Sequence, residues 1–153
     1  MYQAHPVYAA MTRTIFDVMS GLAREHGAIN LGQGFPHEQG PPALIEAAAR
    51  ALGEKSNQYP PGAGLPELRE AVSHFYRDRQ GLALTPDQVI VTSGATEAIA
   101  ASVLALVRPG DEAILFQPAY DAYAPLVRRA GGEPVSVPLA PPFWRYESEN
   151  LEA

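Results

Sequence analysis

Cysteine is absent and lysine occurs only once, at Lys55, in a chain of 153 residues. Without cysteine there is no disulfide framework, no thiolate nucleophile and no Cys-ligated zinc or iron-sulfur centre. A chain of this length does not need such a staple, because a single domain of common size buries most of its apolar surface. Positive charge is also scarce: 11 basic against 17 acidic side chains leave a net charge of −6. That balance offers no long-range attraction to nucleic acid or to an anionic lipid surface, and neither is expected as a partner. No apolar run approaches the ~18–20 residues needed to span a bilayer. The opening Met1-Tyr2-Gln3-Ala4-His5-Pro6 lacks a basic flank before an apolar core, so no export signal is read. A soluble protein of the cytoplasm is the expectation.

What is present is ordinary globular material. Hydrophobic residues make up 46%, and 13 glycines with 15 prolines stay below the share that marks low complexity. Ile15, Phe16, Val18, Met19 and Leu22 are spaced for one face of a helix over residues 14–23, ending near Glu25-His26-Gly27, where glycine supplies a left-handed cap. Ile29-Asn30-Leu31-Gly32-Gln33-Gly34-Phe35-Pro36 reads as a structured loop with its backbone held close to something. Pro41-Pro42 starts a helix through Leu44, Ile45, Ala48 and Leu52, expected to stop at Gly53. After a Pro/Gly loop around Tyr59, Pro66 starts another, whose Leu68, Val72, Phe75 and Tyr76 share a face.

From residue 88 the pattern changes. Residues 89–91, 113–116 and 135–137 are short β-prone runs, separated by helical segments over 95–107 and 120–130. Strands alternating with helices predict an α/β fold with three parallel strands flanked by helices. After Pro141-Pro142, an acidic segment begins another helix and the chain stops, which reads as a cut end. No internal repeat is found.

Thr92-Ser93-Gly94-Ala95-Thr96-Glu97-Ala98 is the sharpest local feature, a strand running through small residues into a helix. Such a turn exposes amides at the positive end of the helix dipole, a place for a phosphate. Ordinary capping by Thr92 or Ser93, with Glu97 favoured in the first turn, explains the same residues. Neither GxGxxG nor GxxxxGK[ST] occurs, so dinucleotide and P-loop readings have no support. Tyr120 and Tyr123 follow the next strand, where an aromatic stacks on a planar ligand or packs its helix against the sheet. His5, His26, His37 and His74 show no paired ligand spacing, so no metal is expected. Lys55 reads as a helix-end cation, and Arg128-Arg129 and Asp111-Glu112 as solvated charge.

Taken together, the loops resemble the amino-terminal part of a pyridoxal-phosphate aminotransferase of fold type I, in the class I/II group that includes kynurenine, glutamine and methionine aminotransferases. The likeness runs over roughly residues 14–151. It rests on five stretches: Ile15-Phe16 with Met19-Ser20, residues 29–36, Asn57-Gln58-Tyr59 with Gly64-Leu65-Pro66-Glu67-Leu68-Arg69, residues 92–98, and Pro109-Gly110-Asp111-Glu112 leading to residues 117–123. The resemblance implies that Gly94, Ala95 and Thr96 hold the phosphate of pyridoxal 5'-phosphate and that Tyr120 stacks on its ring. It further implies that Gly34 meets the substrate carboxylate, that Phe16 lines the pocket, and that Tyr59 reaches the phosphate of a neighbouring subunit in a homodimer. Residues 1–40 would be an amino-terminal arm with the substrate-side loop, and 41–153 the first part of the cofactor-binding large domain. The implied activity is transfer of an amino group from an L-amino acid to a 2-oxo acid.

The departures concern specificity and the reacting group. His37-Glu38 and Gln117 stand where the family more often has an acidic-aromatic pair and an acidic residue. The family's cofactor-bonding lysine, its pyridine-nitrogen carboxylate, its asparagine and its carboxylate-binding arginine belong to sequence beyond residue 153, and Lys55 does not match the lysine motif. Transamination needs a lysine amine to bond the cofactor and to carry a proton, so these residues alone hold no catalytic group and are expected to be inactive. Two alternatives remain open at this level: a cysteine-conjugate β-lyase of the same fold, and a non-enzymatic phosphate-ligand or interaction module.

Overall fold

The computed structural model describes residues 3–34, 36 and 38–151. Its contacts divide the chain into two units, residues 1–18 with 93–153, and residues 19–92.

In the first unit, strands β1 (Glu112–Gln117) and β2 (Glu133–Pro138) pair in parallel, with Ile114 opposite Val135 and Phe116 opposite Val137. Parallel neighbours need a crossover, supplied by helix α6 (Tyr123–Ala130), which packs on both strands. Val127 on α6 and Val137 on β2 are the buried apolar pair at that junction. The outer face of β1 keeps Ile114 and Phe116 half-exposed, Phe116 stacking on Tyr146 with ring centroids 5.4 Å apart. Helix α5 (Ala95–Leu106) and the short α1 (Pro6–Ala9) both lie on α6. The apolar circumference expected of α5 is present, and Leu104 and Leu106 on it are exposed.

The ends of four elements converge in this unit. A Cβ added to Gly132 would lie 2.6 Å from Val107 Cγ1, too close to stand, and Gly131, with Pro109 3.1 Å from its Cβ position, holds φ 91°, where glycine is favoured. Gly110 donates to the Gly131 carbonyl at 3.0 Å and Glu133 to the Asp111 carbonyl at 2.8 Å. Asp111 is therefore more than solvated charge: its Oδ2 accepts the Arg108 N–H at 2.8 Å and closes the turn. The carboxyl ends of α5 and α6 thus meet beside the starts of both strands. Their amino ends, with residues 94–96 and the segment around Tyr120, lie at the carboxyl end of the sheet.

The second unit is helical. Helix α2 (Ile15–Glu25) crosses the division, opens with Asp17 N–H on Thr14 Oγ1 at 3.1 Å, and ends at Gly27 with φ 59°, as its spacing and cap predict. Helix α3 (Pro42–Glu54) runs through Gly53 instead of ending there. It stops where Lys55 turns extended, its N–H on Ala51 O at 2.9 Å, while Asn57 Nδ2 caps the Leu52 carbonyl at 2.8 Å. A side-chain cap two residues beyond Lys55 ends the helix in place of the expected stop at Gly53. Helix α4 (Pro66–Gln80) ends on left-handed Gly81. Its less exposed stripe is Arg69, Val72, Ser73 and Tyr76, whereas Leu68 and Phe75 are about half-exposed, so the covered face is rotated from the one predicted.

Residues 89–91, expected as a first strand, are not one, and the sheet has two strands instead of three. The segment is extended, with φ −111° and ψ 126° at Val89, but its polar groups have other partners. Val91 donates to the Ala63 carbonyl at 3.0 Å, and the Val89 carbonyl accepts Arg69 Nε at 3.0 Å. A β-prone run becomes a strand only when a neighbouring strand takes its ladder bonds. Among the described residues no helix is long and apolar enough to cross a membrane.

Candidate functional site

Gly94 is the N-cap of α5, with φ 84° and ψ 170°. That region of backbone space is essentially open only to glycine. A Cβ there would meet nothing within 4 Å, so backbone conformation, not crowding, requires the glycine. Ala95 and Thr96 follow as the first helical residues, and all three are exposed. The first-turn N–H groups of a helix lack intrahelical acceptors and carry the positive end of the dipole, which favours an anion in front of them. Glu97 reaches back to this turn, its Oε2 accepting the Ser93 N–H. Ser93 thus contributes its amide here.

Tyr120 stands at the same end of the unit, between β1 and α6. Helix α6 begins at Tyr123, three residues later than the run expected from 120. Tyr120 is therefore not a helical residue packing that helix on the sheet, and it is 47% exposed. Its ring lies 6.1 Å from Phe16, tilted by 40°, and 5.6 Å from Tyr123, edge-on at 64°. Gln117 Oε1 accepts the Ala119 N–H at 3.0 Å, and Tyr123 donates to the Tyr120 carbonyl at 3.2 Å, so the connection is shaped on both sides of the ring. Phe16 and Tyr120, both singled out by the resemblance, come together as one aromatic group.

Tyr59 and Gly34 belong to the second unit. Tyr59 is 98% exposed in the Pro/Gly loop. Gly34 is exposed, with open space where a Cβ would stand. In the same loop Gly32 is the pressed residue: a Cβ on it would lie 2.7 Å from Met19 Cβ. Asn30 shapes that approach, its Oδ1 accepting the Gly32 N–H at 3.0 Å and its Nδ2 donating to Ser20 Oγ at 3.0 Å. Phe35 and His37 lie outside the described residues. Lys55 ends α3.

Arg69, in the stretch Leu65–Arg69, carries no role assigned from sequence. Its side chain is 16% exposed, and its Nε donates to the carbonyls of Pro86 at 2.9 Å and Val89 at 3.0 Å. Its Nη2 pairs with Asp87 at 3.2 Å. The visible signal was an arginine one turn into a proline-started helix, a position that conventionally reads as surface charge.

Residues 26–153 match the family model for aminotransferase class I and II. The chain is 52% identical over 129 residues to a probable N-succinyldiaminopimelate aminotransferase, DapC, of Mycobacterium tuberculosis, covering 84% of this chain and 32% of that protein. It is 44% identical over 141 residues to the methionine aminotransferase of Escherichia coli, covering 92% of this chain and 36% of that protein. The solved structure of YbdL from Escherichia coli, described as having a methionine aminotransferase function, superposes with a TM-score of 0.90 at 40% identity, over 99% of this chain and 40% of that one. The chain spans about a third of the length of the curated relatives it matches. With a family model over most of its residues and relatives this similar, the chain belongs to the class I and II aminotransferases.

Proposed function

We propose that these residues form the phosphate-binding part of an enzyme that moves an amino group from an L-amino acid to a 2-oxo acid with pyridoxal 5'-phosphate. The observation that carries the reading is Gly94, held at φ 84° and ψ 170° as the N-cap of α5, at the end of the unit where the Tyr120 ring is half-exposed. The residues present fit the cofactor. Exposed Ala95 and Thr96 offer backbone N–H groups and one hydroxyl to a dianion, Gly94 sets the turn that aims them, and Tyr120 offers an aromatic face.

When bound, the cofactor supplies a carbonyl that takes up the amino group and a ring that draws electrons from the reacting carbon. The residues here bind and orient. The α5 amides grip the phosphate, Tyr120 holds the ring plane, and Phe16 supports Tyr120 and borders the pocket. Gly34 presents its N–H to the substrate carboxylate from an exposed, open stretch of backbone. Tyr59, almost fully exposed, reaches the phosphate bound by a second copy, which makes a homodimer the working form. In this reading residues 1–40 are the arm and residues 41–153 the first part of the large domain. The absence of cysteine and of a membrane-crossing helix among the described residues supports a place in the cytoplasm.

The test is titration of the full-length protein with pyridoxal phosphate, followed by amino-group transfer to a panel of 2-oxo acids. Saturable uptake that Tyr120→Ala weakens about tenfold or more supports the reading. No uptake, or pyruvate release from cysteine conjugates without amino-group transfer, overturns it.

A further inference from the structure

We propose that Arg69 is a positioning residue for Tyr59, acting through the segment 86–91. The inference rests on the reading of Tyr59 as a residue that reaches a neighbouring subunit. A continuous set of short contacts links the two. Arg69 Nε donates to the carbonyls of Pro86 and Val89 at 2.9 and 3.0 Å, fixing both ends of the 3₁₀ turn Pro86–Gln88 against α4. Two residues further, Val91 donates to the Ala63 carbonyl at 3.0 Å. The side chain of Val91 is pressed on the next residue, buried Gly64, where a Cβ would stand 2.4 Å from Val91 Cγ2. Gly64 in turn donates to the Pro61 carbonyl at 2.8 Å, closing the turn that Pro60 and Pro61 enter.

Tyr59 immediately precedes those prolines. Proline fixes its own φ and restricts the residue before it, so few soft torsions separate Tyr59 from the turn at 61–64. Its direction is then set by where that turn is held, and segment 86–91 holds it. Segment 86–91 is held by Arg69. The guanidinium is suited to this and an ammonium is not, because one Nε–H held in the guanidinium plane is shared by both carbonyls, and lysine carries a methylene at that point of its side chain. The ion pair with Asp87 contributes little, since Asp87 is 97% exposed.

The experiment is a double-mutant cycle on cofactor release from the full-length enzyme, with Arg69→Lys, Tyr59→Phe and the double variant, read as the dissociation rate of pyridoxal phosphate. Each single variant is expected to speed release about tenfold, and Arg69→Lys, which touches no cofactor, to leave kcat at saturating cofactor within about twofold of the parent. The double variant is expected to release no faster than the worse single one, because both changes remove the same contact. Asp87→Asn is expected to stay within about twofold of the parent. Should Arg69→Lys fold poorly, Val91→Ala interrupts the same linkage at its other end and must show the same coupling. A double-variant effect equal to the product of the single effects overturns the inference and leaves the shared-site reading standing, as does an Arg69→Lys protein that releases cofactor at the parent rate. A silent Tyr59→Phe removes the shared-site reading and the inference with it.

Discussion

The α-carbon of Gly64 lies so close to Val91 that a methyl group cannot be placed between them: a Cβ would stand 2.4 Å from Cγ2 and 2.7 Å from Cβ of Val91. Gly64 also holds φ 100°, a conformation L-residues rarely adopt. Crowding and backbone conformation therefore demand glycine independently.

Gly64→Ala should destabilise the protein by about 2–4 kcal/mol, from overpacking and the left-handed backbone together. Denaturant unfolding of the full-length protein measures it. A midpoint within error of the parent would mean that the loop is free to move away from Val91.

Gly94→Ala tests the conformational requirement without crowding, because its Cβ meets nothing within 4 Å. The cost of holding alanine at φ 84° and ψ 170° is about 1–3 kcal/mol, relieved if the turn shifts. A shifted turn no longer aims its amides, so pyridoxal phosphate affinity should fall about tenfold or more while Tm changes by only a few degrees. Calorimetric titration and a thermal melt report the two effects separately.

Glu97→Gln should act in opposite directions on stability and on binding. Losing the carboxylate from the first turn of α5 removes about 0.3–1 kcal/mol of dipole stabilisation and weakens the bond from Ser93 N–H. It also removes a negative charge from the neighbourhood of an incoming phosphate, so affinity should rise about twofold to tenfold. Affinity that falls with stability would show that Glu97 chiefly shapes the turn.

Phe16 and Tyr120, 6.1 Å apart, should be coupled. Stability measurements on Phe16→Ala, Tyr120→Ala and the double variant are expected to give an interaction of about 0.5–1.5 kcal/mol. Tyr120→Phe keeps the ring and should retain cofactor within a few-fold, whereas Tyr120→Ala should not. Equal losses in both variants would assign the binding to the hydroxyl.

Helices were the most legible part of the chain. The apolar period of α2, its Thr14 start and its Gly27 stop are local signals, and local hydrogen bonds satisfy them. Gly53 misled because glycine in the last turn marks a stop only if it turns left-handed, and the Asn57 side chain made that unnecessary. Residues 89–91 were misread for a different reason. Valine and isoleucine state a preference for extended backbone, but pairing depends on which acceptor arrives, and those that arrived were Ala63 and Arg69. The turn at 94–96 that heads α5 was legible from its small residues. The Phe16–Tyr120 contact was not, because about a hundred residues separate the two rings.

The sequence by itself determined the alternation of helix and strand from α5 onward, the glycine at the head of α5 and the lack of any nucleophilic cysteine, since each is written in neighbouring residues, while the family was legible only as a likeness to known loop motifs. Tertiary structure decided which face of α4 is covered, which extended segment joins the sheet, that Gly32 rather than Gly34 is pressed by a side chain, and that Arg69 is a clamp instead of a surface charge. Those outcomes depend on partners distant in sequence. A hydrogen-bond donor or an apolar face specifies only what kind of neighbour it needs, and folding selects which residue supplies it.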